Sequence, residues 1–159
     1  MLLRTGCFFV VLLYLCAPSH AQVEKTVQWL TFEQLEDSLA QQAKPVFIDF
    51  YTDWCTYCRK MDKVVFTKPQ VVKTLNTDYY AVRFDAETEQ EVTFGGRQFV
   101  NDQIRVSRQP VHQIAQLLAL RDGGFTPPTM VVLDKEFNVA ARYFEYMDSK
   151  KLLRALSAL

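Results

Sequence analysis

Apolar and polar positions along this chain follow two periods. Phe32, Leu35 and Leu39 recur at helical spacing. Thr31 stands before them as an N-cap, and Gln34 three residues on completes a capping box, so a helix is predicted to about Ala43. Residues 26–30 read as a short first strand. Val46, Phe47, Ile48 and Phe50 form a nearly continuous apolar run behind Pro45, as in a central strand covered on both faces. A helix is predicted to open at Cys55 and run through Lys60, Met61 and Val64 to Phe66. Another follows Pro69 over residues 70–75. Residues 79–85 alternate and read as a strand. Residues 92–94 and 97–100 flank Gly95-Gly96, the signature of a two-residue hairpin. A helix is predicted over residues 111–120, with Ile114, Leu117 and Leu118 on one face and Gly123-Gly124 ending it. Residues 129–134 form a second strongly apolar strand, joined by a turn to a strand over 139–146. Asp148 caps a last helix that turns Leu152, Leu153, Leu156 and Leu159 to the core. Strands and helices in this order define an α/β fold, a central mixed sheet with helices on both faces.

The length, 159 residues, suits one domain. The first 21 residues read as a secretory signal: Arg4, an apolar run over 7–17 too short for a membrane span, then Ser19-His20-Ala21. The domain proper is then 22–159. Leu15 before Cys16 is not small, which argues against a lipid-modified start. The 18 basic and 18 acidic residues balance, and losing Arg4 leaves about −1 (17 minus 18). No basic stripe points to nucleic acid or an anionic membrane. Export changes the meaning of the cysteines. Cys7 and Cys16 leave with the signal, and only Cys55 and Cys58 remain. So close a pair closes too small a loop to stabilise much, which favours chemistry over stapling.

Residues three apart on a first helical turn face the same side, at a separation compatible with a disulfide. A thiolate there is stabilised by unpaired N–H groups and the helix dipole. Cys55 is therefore the expected nucleophile, aided by Arg59 and Lys60 and the more exposed of the pair. Cys58 is the expected resolving thiol. The competing readings are a purely structural disulfide and half of a zinc site. Zinc needs four ligands, and beyond the pair the exported chain offers only His112, read here as a surface helix residue; no metal is expected. The acidic run 87–91 reads as a solvated loop. The hairpin is either a partner-binding flap or an edge decoration.

The run DFYTDWCTYC resembles the active-site strand, turn and helix of thioredoxin-fold proteins. Residues 44–75, KPVFIDFYTDWCTYCRKMDKVVFTKPQVVKTL, are similar to the C-terminal reducing domain of the thiol:disulfide interchange protein DsbD and to small secreted bacterial thioredoxin-like proteins. Thr126-Pro127-Pro128-Thr129 extends the likeness, which covers most of the chain after Val27 except an insertion at about 93–121. The resemblance implies a thioredoxin fold in which Asp49 is buried behind the cysteines and relays a proton; the alternative is a surface Asp at a strand end. It implies a cis-proline at Pro128 and a substrate groove shaped by Thr126 and Pro127. Trp54 is to pack beside the cysteines and shield them, with Thr56 and Tyr57 as the intervening dipeptide. Departures are visible. The following strand carries Arg83, not obviously at the position of the family's Lys. Asp62 matches a second acidic position of the DsbD domain. The usual glycine before the last helix is replaced by Glu145 or Tyr146. The implied function is an exported, periplasmic thiol–disulfide oxidoreductase that reduces protein disulfides. No nicotinamide or flavin motif is present, so the cofactor is the Cys55–Cys58 disulfide itself and the electrons come from a membrane donor. The alternatives are a dithiol oxidase or isomerase, and a non-catalytic binding module.

Overall fold

The computed structural model describes residues 25–159. The signal segment, its cleavage point, Cys7 and Cys16 lie outside those residues. β1 (Trp29–Leu30) is shorter than the five residues expected. α1 (Phe32–Gln41) opens on the capping box: the Gln34 N–H donates to the Thr31 hydroxyl, and the Thr31 N–H donates to Gln34 Oε1 at 2.9 Å. β2 (Val46–Tyr51) leads into the cysteine loop, and α2 (Thr56–Val64) follows with Cys55 as its N-cap. The latter stops two residues before the predicted Phe66. α3 (Pro69–Asp78) begins on its proline and runs three residues past Leu75, and β3 (Tyr80–Asp85) follows.

β4 (Val92–Phe94) and β5 (Arg97–Phe99) pair antiparallel around Gly95 and Gly96. Both glycines have positive φ, 60° and 68°, as a two-residue turn of this hand requires. α4 (Gln113–Leu118) is shorter than predicted, and Gly123 does not end it. Instead β6 (Leu120–Arg121) and β7 (Gly124–Phe125) make a second small hairpin whose turn residues Asp122 and Gly123 both have positive φ. β8 (Thr129–Leu133), β9 (Val139–Tyr143) and α5 (Ser149–Leu156) complete the chain, and the Asp148 side chain caps α5 by accepting from the Lys151 N–H.

The main sheet has the order β1-β3-β2-β8-β9, with β2 parallel to β3 and antiparallel to β8. This is the mixed sheet of a thioredoxin fold. Alternation along β2 sends Phe47 to a core with Met61 of α2, Leu75 of α3 and Leu152 of α5. It sends Val46, Ile48 and Phe50 to a second core with Leu35 of α1 and Ile114 and Ala115 of α4. Two predicted core leucines face outward instead: Leu117 is 64% exposed and Leu159 56%. At α4 the buried stripe is Ile114, Ala115 and Ala119, offset from the one the leucines suggested.

Candidate active site

β2 and β8 run in opposite directions, and Phe50 lies opposite Thr129. The end of β2 that feeds the cysteine loop is thus the end at which Pro128 enters β8. The Pro127–Pro128 bond is cis, and Pro128 is buried while Thr126 stays exposed. The Thr129 hydroxyl donates to the Thr126 carbonyl at 2.8 Å and closes this loop.

Cys55 and Cys58 form a disulfide with Cα atoms 5.3 Å apart. The Cys58 N–H donates to Cys55 Sγ at 3.0 Å, so the sulfur occupies the place of a capping side chain at the start of α2. The Cys55 N–H donates to the Thr52 carbonyl and holds the turn. Cys55 was expected to be the more exposed; in the oxidised state both are buried, at 3% and 2%. The N-cap position carries the reason, since it turns the first sulfur back over the helix end rather than out to water. Arg59 donates to the Asp53 carbonyl at 2.5 Å and to the Thr56 hydroxyl, which fixes its charge beside the same turn.

Asp49 is 2% exposed, so the surface alternative fails. Alternation places it on the face of the sheet that α2 covers. Burial lifts its pKa to about 7, against an opposing pull from Arg83. Arg83, whose place relative to Asp49 is not obvious from sequence, is the cross-strand partner of Asp49. Its Nε lies 3.6 Å from the Asp49 carboxylate, an electrostatic contact rather than a hydrogen bond. The other end of the guanidinium donates to Asp62 of α2 at 2.6 Å and lies over the Tyr51 ring at 4.4 Å. One arginine thus bridges a buried and a half-buried carboxylate.

Trp54 stands at the surface beside the buried pair. It is 53% exposed, and its indole N–H donates to Glu87 at 3.0 Å. Glu87, read as part of a solvated loop, therefore belongs to the rim; nothing in its sequence context marks a pairing across 33 residues. Tyr57 and Tyr146 pack with ring centroids 5.8 Å apart, and the Lys60 ammonium lies over Tyr146. Tyr146, one of the two residues read at the glycine position, thus packs against the dipeptide between the cysteines. His112 is not on the surface. It is fully buried, caps α4 through Nδ1, and meets Phe84 edge-on; burial holds its pKa below the usual range. Among the described residues no cluster of three His, Cys, Asp or Glu side chains is placed to hold a metal ion.

A thioredoxin fold with a Cys-x-x-Cys pair capping α2 defines a thiol–disulfide oxidoreductase. Residues 28–134 match the thioredoxin-like family model, and the chain belongs to that family. Among curated proteins it is similar to the thiol:disulfide interchange protein DsbD of Salmonella typhimurium, with 44% identity over 46 residues. That match covers 28% of this chain and 8% of the relative's length. Among solved structures, a DsbH oxidoreductase superposes with a TM-score of 0.58 at 17% identity, covering 90% of each chain. The oxidised C-terminal domain of Neisseria meningitidis DsbD superposes with a TM-score of 0.52 at 18% identity, covering 78% of this chain and 88% of that one. At these identities the superpositions establish the fold.

Proposed function

We propose that this protein is an exported oxidoreductase that reduces disulfides in other polypeptides. The observation that carries the reading is Cys55 at the N-cap of α2, its sulfur accepting the Cys58 N–H with Cys58 in bonding reach. Reduced Cys55, as thiolate, attacks one sulfur of the substrate disulfide. A Cys55–substrate bond forms, the substrate S–S bond breaks, and one substrate thiolate leaves and takes up a proton. Cys58 then loses its proton, with Asp49 as the acceptor, since a carboxyl with a pKa of about 7 can accept a proton near neutral pH. The Cys58 thiolate attacks Cys55 Sγ, releases the second substrate sulfur as a thiolate and leaves the Cys55–Cys58 disulfide. That thiolate takes the proton held by Asp49, so substrate gains two electrons from the protein and two protons, one from solvent and one from Cys58.

Repeated turnover needs a dithiol donor. The similarity to a DsbD segment supports a membrane donor in the periplasm, as does the apolar run near the N-terminus. Thr126 and Pro127, next to the cis Pro128, form the loop on which substrate backbone lies, with Trp54 and Tyr57 flanking the cysteines in sequence. Thr56 and Tyr57, between the cysteines, contribute to the potential.

The test is capture. Full-length Cys58→Ser protein expressed in its own compartment is expected to accumulate mixed disulfides through Cys55 that a reductant releases, and Cys55→Ser to accumulate none. Absence of any Cys55-linked partner would favour a binding module with an idle disulfide.

A further inference from the structure

We propose that the groove beside the redox pair binds the polypeptide flanking the substrate's cysteine, and that Arg108 selects an acidic side chain in that segment. This rests on the oxidoreductase reading above and names its substrate class.

A cavity of about 660 Å³ opens next to the site. Trp54, which precedes Cys55, forms one wall. Phe125, which precedes Thr126, forms another, and the loop 103–109 forms a third. The space is therefore continuous with the loop at Pro128, and its volume lies in the range that holds ligands of several side chains. β7 pairs with β6 and with no other strand among the described residues. Its outer edge is free to hydrogen-bond and runs straight into Thr126 and Pro127. An extended polypeptide lying over those two residues can continue along the β7 edge as an added strand. Its side chains on one face then enter the cavity.

The lining decides which side chains fit. Most of its polar groups are committed to the protein itself. Gln103 Oε1 accepts the Val111 N–H, Gln116 Nε2 donates to Asp102 and to the Val111 carbonyl, and the Ser107 hydroxyl donates to the Gln109 carbonyl. These groups stiffen the wall. Two charged residues line the cavity, Glu87 and Arg108. Glu87 holds the Trp54 indole. Arg108 is exposed and has no ion pair, hydrogen bond or ring contact among the described residues. A free guanidinium beside an open strand edge is a fork for a carboxylate. The occupant is thus a disulfide-bearing polypeptide in extended conformation, with Asp or Glu a few residues from its cysteine.

The experiment uses the full chain, reduced with dithiothreitol and desalted, in single turnovers at low salt. The substrates are synthetic peptides with one cysteine disulfide-bonded to mercaptoethanol, carrying Glu, Gln or Lys at one position at a time on either side. Wild type is expected to reduce the Glu peptide about threefold to tenfold faster than the Lys peptide at one of these positions, as for a rim charge pair. Arg108→Glu is expected to reverse that order. Equal rates across the panel, or one preference shared by wild type and Arg108→Glu, would overturn the groove. Wild type is also mixed with mercaptoethanol disulfide, which has no flanking chain. Failure to reduce it would overturn the exchange chemistry itself, and the two failures are thus distinguishable.

Discussion

At Asp49 two effects compete, and burial wins over the ion pair. The Arg83 contact favours the charged carboxylate, yet desolvation lifts the pKa from 3.8 to about 7. The sign for stability follows. Between pH 4 and 7 the folded protein keeps a proton that the unfolded chain has lost, so stability falls as pH rises through this window and is lowest, for this group, above 7. At about 1.4 kcal/mol per tenfold change in proton affinity, the cost is on the order of 4 kcal/mol for the oxidised fold. Asp49→Asn is expected to flatten that slope and to raise the denaturant midpoint of the oxidised protein at pH 8 but not at pH 4. The same variant is expected to slow resolution of the mixed disulfide by about a hundredfold at pH 7, followed by quenched alkylation, because the proton acceptor is gone. A fast-resolving Asp49→Asn protein would remove Asp49 from the mechanism. The sequence made Asp49, Cys55 and Cys58 legible because one run of ten consecutive residues, 49–58, fixes their spacing. It hid the Arg83 pairing, which depends on the register between two strands.

The elements show a similar divide. α1 and α5 carry their caps in sequence, at Thr31 and Asp148, and start where those residues predict; α2 starts at Thr56, one residue after the expected opening, with Cys55 as its cap. The insertion is different. Ile114, Leu117 and Leu118 suggested a stripe, but α4 is under two turns long and its orientation is set by His112. That side chain packs edge-on against Phe84 and caps α4 by accepting the Ile114 N–H, while the His112 backbone N–H donates to the Ala86 carbonyl. The result buries Ile114 and Ala115 against Phe84 and Val131, so this part of the insertion closes a core rather than decorating an edge. The β6–β7 hairpin was hidden for another reason: strands of two residues have too few positions to show alternation. The packing yields a paired prediction. Ile114→Ala is expected to cost about 2–5 kcal/mol in urea unfolding, as for a buried aliphatic. Leu117→Ser is expected to stay within about 0.5 kcal/mol of wild type. Equal costs would mean that α4 packs by the other face.

For the whole molecule, the direction of electron flow is a question of linked stabilities. Cys55 and Cys58 can be oxidised or reduced in the folded protein and in the unfolded chain, and the four states close a cycle. If the folded pair is a better reductant than the unfolded one, the disulfide stabilises the fold, and each 30 mV corresponds to about 1.4 kcal/mol. Two features of the fold act oppositely on this balance. The start of α2 and the Cys58 N–H favour a Cys55 thiolate, and so the reduced form. A buried Asp49 on the face that α2 covers resists a second negative charge there, and so favours the disulfide. Two hydrophobic cores clamp the sheet from both sides, so neither charge can relax by moving the strands apart. A reductase requires the second effect to prevail. The oxidised protein is therefore expected to unfold at a higher urea concentration than the dithiol form at pH 7, with equal slopes. A lower midpoint for the oxidised protein would assign the opposite direction, because a fold that prefers its dithiol form passes its disulfide on.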